Sequence, residues 1–170
     1  PSIKVNNKLR INYSYNYEAE KNTPGFVDND DTNIYMGERD RETITNSVDL
    51  SYVFNNEMSL KLRLRDYWSQ AKYDNYYTVE NNGTLLLTDY PENKNVNYNA
   101  FNIDLTYSWN FAPGSELLVN WKYSTNESDT DVNGSYLNNL NNIVDYDNVN
   151  SISIKLIYFM DYYSIKSKIR

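Results

Sequence analysis

Between Val48 and Trp68 the chain reads VDLSYVFNNEMSLKLRLRDYW, two runs of strict alternation joined by a polar turn. Going in, Val48, Leu50, Tyr52 and Phe54 alternate with Asp49, Ser51 and Val53. Coming out, Met58, Leu60, Leu62 and Leu64 alternate with Ser59, Lys61, Arg63 and Arg65. A period of two puts one set on each side of a pleated strand, so one face is greasy and the other wet. The wet face carries three cations in five residues, too much charge to lie under a second sheet. The apolar face runs for about ten residues, the length a tilted strand needs to cross a bilayer. This stretch predicts a hairpin of a transmembrane β-barrel.

The rest of the chain repeats that grammar. An earlier strand sets Leu9, Ile11, Tyr13, Tyr15, Tyr17 and Ala19 against Arg10, Asn12, Ser14, Asn16, Glu18 and Glu20. Residues 21–31, with Pro24-Gly25 and the acidic Asp28, Asp30 and Asp31, read as a loop. A second strand spans 33–54, with an outer half charged on both faces, and turns at Asn55-Asn56-Glu57 into a third, 58–77. After a polar loop over 78–95, Phe101, Ile103, Leu105, Tyr107, Trp109 and Phe111 mark a fourth strand. It turns at Ala112-Pro113-Gly114 into a fifth, where Leu117, Val119, Trp121 and Tyr123 alternate with Leu118, Asn120, Lys122 and Ser124. A loop over 126–148 leads to a last strand with Ile152, Ile154, Leu156, Tyr158, Met160 and Tyr162 on one face.

The fold class expected is all-β, an antiparallel transmembrane β-barrel segment of about six strands. Connections run long, short, long, short, long, as in barrels with short periplasmic turns and long external loops. The expected lipid-facing set is Val48, Leu50, Leu60, Leu62, Leu64, Ile103, Leu105, Leu117, Val119, Ile152, Ile154 and Leu156. The expected lumen-facing charges are Asp49, Lys61, Arg63, Arg65, Asp104, Glu116 and Lys122. Phe54, Trp109, Phe111 and Tyr162 at the short-turn end, and Trp68 at the other, are expected aromatic girdles. Aligning the apolar faces sets Phe54 opposite Met58 and Asp49 opposite Arg63. At the second turn the same logic sets Phe111 opposite Ser115 and Asp104 opposite Lys122. About six strands fall short of the roughly eight of the smallest common barrels. Each backbone group left unpaired in hydrocarbon costs several kcal/mol, so the outermost strands should pair with upstream strands of the same protein or with another outer-membrane subunit.

Composition refines this picture. The mean hydropathy of -0.76 beside 18 tyrosines in 170 residues excludes helical spans but not a barrel, whose lipid-facing residues are every second one. The net charge of -7 argues against a nucleic-acid partner. Cysteine is absent, so there is no disulfide framework. The opening Pro1-Ser2-Ile3-Lys4 has neither the charged start nor the apolar core of a signal peptide. Residues 1–170 are therefore expected to be the C-terminal part of a barrel domain, ending in a basic periplasmic tail at 163–170.

Candidate chemistry is sparse. Histidine is absent, which removes Ser-His-Asp triads and His-ligated metals. Paired carboxylates can hydrolyse glycosides, and Asp49, Asp104 and Glu116 share one face, but partnership with Arg63 and Lys122 is the plainer role. Asp129, Asp131, Asn133 and Gly134 match half a calcium loop, with Leu140 where the closing Glu belongs. An acidic loop tip is the simpler reading, so the expectation is no cofactor beyond that calcium candidate. Lys61, Arg63 and Arg65, with Arg39 and Arg41 further out, either attract anions to a pore or salt-bridge a filled interior. Tyr76, Tyr77, Tyr90 and Tyr136 either stack on sugars or pack on their neighbours.

The runs YMGERDRETITNSVDLSYVFNNEMSLKLRLRDYWSQAKY, NYNAFNIDLTYSWNFAPGSELLVNWKYS and NSISIKLIYFMDYYSIK resemble the C-terminal region of an uncharacterised family of Bacteroidota outer-membrane proteins. The resemblance covers 35–166, most specifically at Gly37–Arg41 and Phe111–Glu116. It implies a large barrel following an N-terminal sandwich similar to family-nine carbohydrate-binding modules, and no reaction. The basic tail Lys166, Lys168 and Arg170 departs from the aromatic ending usual in such barrels. The expected function is therefore a non-enzymatic outer-membrane barrel with a structural or transport role. Its partners would be the lipid bilayer and a glycan, in uptake or within a larger complex. The alternatives are a soluble glycan-binding β-sandwich and a barrel-embedded hydrolase.

Overall fold

The computed structural model describes residues 1–160, so Tyr162 and the 163–170 tail lie outside the described residues. The strands are β1 (Ser2–Lys4), β2 (Leu9–Asn29), β3 (Ile34–Val53), β4 (Met58–Val79), β5 (Leu85–Thr88), β6 (Val96–Ala112), β7 (Ser115–Asp129) and β8 (Asn148–Ile157), with one α-helix, α1 (Tyr136–Asn142). All pair antiparallel in a single sheet of order β1-β2-β3-β4-β6-β7-β8, with β5 on the far end of β4. The sheet is open, bounded by β1 and β2 on one side and by β8 on the other. Among the described residues no helix is long and apolar enough to cross a membrane.

Pairing follows the alternation. One row runs Ile11, Leu50, Leu62, Leu105, Trp121, Ile152, and the rows through Leu60 and Leu64 flank it on the same face. The row between carries Asn12, Asp49, Arg63, Asp104, Lys122 and Ser151 on the other face. Both anticipated charge pairs, Asp49 with Arg63 and Asp104 with Lys122, are register partners. At the first short turn Asn55 Oδ1 accepts from the Glu57 and Met58 amides, both at 2.8 Å, and Phe54 N donates to Met58 O as anticipated. Only Trp68, Ala71 and Ile143 are buried apolar residues among those described, so no second layer covers the leucine rows.

Four expectations are corrected. Residues 21–31 are mostly strand, and the connection shrinks to a tight turn in which Asp30 Oδ1 accepts from the amides of Thr32 and Asn33 at 2.8 and 2.7 Å. Pro24 is tolerated because β2 has a neighbour on only one side there. Asn22, at φ 51, absorbs the extra residue of a bulge opposite Asp40, a conformation Asn adopts more readily than most. At the second short turn Ser115 pairs with Ala112 rather than Phe111, because Asn110 and Phe111 together oppose Glu116. Pro113 and Gly114 (φ 71) then suffice for a two-residue turn of type II character, with Asp104 and Lys122 still in register. The long 126–148 loop is strand as far as Asp129 and contains α1, whose Trp68-covering position is described below. The last strand stops at Ile157, and the short β1 and β5 raise the strand count to eight.

The Gly37–Arg41 motif acquires a physical reason here. Gly25 and Gly37 are register partners, and a Cβ on Gly37 would fall 2.3 Å from Cδ1 of Tyr73. One on Gly25 would fall 2.8 Å from Cζ of Arg39. The two glycines leave flat backbone on which Tyr73 and Arg39 lie, with Arg39 Nη1 donating to Tyr73 Oη at 2.8 Å. A bulge at Asp74 brings Tyr76 to the same side, stacked on Tyr73 at 5.7 Å between centroids. Gly37→Ala should destabilise the protein by about 1–3 kcal/mol in detergent unfolding titrations, the usual cost of overpacking. Gly134→Ala, whose methyl would meet nothing closer than 3.5 Å, should leave the midpoint unchanged.

Candidate functional site

All seven anticipated charged residues, Asp49, Lys61, Arg63, Arg65, Asp104, Glu116 and Lys122, fall on the polar face by register. All twelve anticipated apolar residues fall on the other. A groove of about 670 Å³ crosses the polar face from β2 to β7. Its walls are the rows through Arg63 and Lys61, and its floor is the backbone of the Leu62 row, whose side chains point to the opposite side. Arg63 Nε donates to Asp49 Oδ1, and Arg65 Nη2 donates to Asp104 Oδ2 at 3.0 Å. Lys122 Nζ stands 3.7 Å from the second oxygen of Asp104. Glu116 accepts from Ser108 Oγ at 3.2 Å, and Thr106 donates to Asn120 at 2.8 Å. The cations are about half exposed or more. Exposed pairs contribute about 0–1 kcal/mol each, so stability alone is a weak reason for this ladder.

The carboxylates are matched to cations or hydroxyls rather than converging on one another, and among the described residues no group of three or more His, Cys, Asp or Glu is placed to hold a metal ion. In the calcium half-motif, Asp129 Oδ1 accepts from the Asp131 amide at 2.8 Å and Asp131 Oδ1 from the Asn133 amide at 2.9 Å. These oxygens organise the loop locally.

The girdle aromatics take different positions. Phe54 and Trp109 are exposed at the short-turn end, and Phe111 stacks on Tyr158 at 6.2 Å. Trp68 instead is 3% exposed, beneath α1. Its Nε1 donates to Asn97 Oδ1 at 2.9 Å, while Asn97 and Asn99 both donate to Asn139 Oδ1 at 2.8 and 3.1 Å. Tyr136 Oη donates to Asp66 Oδ2 at 2.5 Å and accepts from Asn46 at 2.7 Å. Burial, and then the bond to Asp66, push the Tyr136 phenol well above its ordinary value. None of Asp66, Asn97, Asn99 or Asn139 stood out in the sequence. The one signal was Asp66 itself, a carboxylate at a position the alternation reserves for an apolar residue.

The four loop tyrosines are all engaged by neighbours. Tyr76 lies against Tyr73 and Tyr90, and Tyr77 donates to Glu38 at 3.0 Å. Tyr90 donates to Asp28 at 2.7 Å, where Lys94 Nζ also reaches at 3.1 Å, and Tyr136 donates to Asp66.

The molecule is thus a single-layer antiparallel sheet that separates a charged face from an apolar one. The chain belongs to the family described as Domain of unknown function (DUF5916), which matches residues 1–169. Comparison with curated proteins and with solved structures returned no match.

Removing the Tyr136 hydroxyl leaves the buried Asp66 short of its closest donor, a loss of about 1–3 kcal/mol. In Tyr136→Phe, amide exchange over 136–143 should accelerate while exchange in β6 and β7 stays unchanged. The clamp of Tyr90 and Lys94 on Asp28 gives a pH prediction. Tyr90 and Lys94 hold the Asp28 carboxyl below its ordinary 3.8, so its contribution is present above that pH and lost on acidification. Glu92, then Asp28 and Tyr90, hold Lys94 above its ordinary 10.5, so its contribution is present below that pH and lost as pH rises through the folded value. Proteolysis within 89–95 should therefore be flat between about pH 4 and 10 and rise below and above that window.

Proposed function

We propose that this chain is the membrane-spanning sheet of an outer-membrane β-barrel with a structural or transport role, its leucine rows toward lipid and its charged rows toward a water-filled interior. The observation that carries the reading is the uncovered apolar belt. Three adjacent rows centred on Leu62 lie together on one face, and among the described residues nothing packs over them. In water such a belt demands a second layer, whereas in a bilayer it needs none. On the long-loop side the belt ends at Asp66 and Asn46, where Tyr136 covers the face with a hydrogen-bonded cap. This fits strands that project beyond the hydrocarbon.

The free sides of β2 and β8 call for partner strands, from upstream in the same protein or from another outer-membrane subunit, because open edges cannot face lipid. The glycan context, uptake or membership of a larger complex, comes from the family resemblance described above. Among the described residues no second layer packs over the leucine rows, and the polar-face carboxylates Asp49, Asp104 and Glu116 each have a cation or hydroxyl partner, which favours neither the soluble sandwich nor the hydrolase.

The test is fractionation of cells making the full-length protein. Recovery in outer membranes, released only by detergent, is the expected outcome, and recovery in the aqueous phase would overturn the reading. Leu62→Arg should cost about 2–4 kcal/mol or block assembly, as cations at the lipid midplane do, whereas Arg63→Gln should assemble normally.

A further inference from the structure

We propose that the groove on the polar face is a binding site for small solutes carrying two or more carboxylate or phosphate groups. The chain as a whole is acidic, at -7, yet its charge is sorted by face. In the four polar rows from Ser59 to Arg65, the cations Lys4, Arg10, Lys61, Arg63, Arg65, Lys122 and Lys155 stand against the carboxylates Asp49 and Asp104 alone. Both carboxylates are taken, Asp49 by Arg63 and Asp104 by Arg65 and Lys122. Arg10, Lys61 and Lys155 have no ion pair among the described residues.

The spare cations do not merely dot a surface. Arg10 and Lys61 share a row with Ser51 between them, which places their backbones two strand spacings, roughly 10 Å, apart. Lys61 and Ser51 line the groove itself, whose volume of about 670 Å³ lies in the range of small-molecule sites. A solute of that size would meet Lys61 and the outward sides of the paired Arg63 and Lys122, while Ser51 and Asn12 offer hydrogen bonds to hydroxyls. Asp49 and Asp104 also line the groove, but both are paired, so its walls stay net cationic over the backbone floor and concentrate anions, and a width of this order is comparable to the screening length in physiological salt.

The inference deepens the proposed function by naming what the water-filled side takes, but it does not need the other side to face lipid. The test uses the full-length protein as purified, titrated calorimetrically with citrate and, separately, with inorganic pyrophosphate at low and high salt. Expected is binding that weakens with salt, with either probe or both; the responding probe identifies the preferred anion. Lys61→Gln should weaken it about threefold, and neutralising Arg10 as well should weaken it about tenfold, in line with partly exposed charge pairs. Asp104→Asn, which releases Arg65 and Lys122, should tighten it. Lys72→Gln removes the same charge from the other face, outside the groove, and should change nothing. Absence of binding to both probes, or equal losses in Lys61→Gln and Lys72→Gln, would overturn the assignment. A protein that binds these anions yet stays in the aqueous phase without detergent would sink the outer-membrane reading and leave this one standing.

Discussion

From Leu9 on β2 to Ile154 on β8, antiparallel pairing keeps each apolar row continuous across six strands. Because side chains alternate with a period of two, a slip of one residue at any interface would turn a strand over and set Arg63 or Lys122 among the leucines. Everything else in the molecule depends on that register. The ion pairs that lie along it are too exposed to enforce it alone, at about 0–1 kcal/mol each. The stronger discrimination comes from the rows themselves, since a misplaced strand would desolvate its charges and expose its leucines together. The two short turns fix where counting begins.

A sheet this regular still has to absorb local mismatches. It does so at four bulges, around Asn22, at Val27, at Asp74, and at Asn110 with Phe111. Each adds a residue to one strand without disturbing the rows further along. The Asp74 bulge has a second consequence, since it turns Tyr73 and Tyr76 to one side and builds the stack that rests on Gly37. Two glycines facing each other across β2 and β3 would ordinarily weaken a sheet, because they offer no side chains to pack. Here the loss is offset by Arg39 and Tyr73 lying over them.

The two ends of the sheet are finished differently. At the short-turn end, aromatic side chains contact one another and remain open to the surroundings. At the long-loop end, the apolar face gives way to Asp66, Asn97 and Asn99, which would be costly to bury without partners. The β7–β8 connection supplies those partners through Tyr136 and Asn139, and so acts as a polar lid over the last rows. The charged face is unlike either end, since over its central rows cations outnumber carboxylates although the chain as a whole is acidic.

The sequence by itself determined which residues share a face, where the two short turns fall and which charges meet across them, because alternation and turn chemistry are local and repeat along the chain. It also showed strand character in the six long paired segments, but not in the short β1 and β5, in 126–129, or in 21–29, where Pro24-Gly25 imitated a loop on what proved to be an edge strand. Only the tertiary structure decided that Trp68 would be covered rather than exposed, since its cover comes from a residue 70 positions beyond Asp66 and leaves no periodic trace. The seat that Gly25 and Gly37 provide for Arg39 and Tyr73 was hidden for the same reason, as it joins three strands through a space that exists only once they pair.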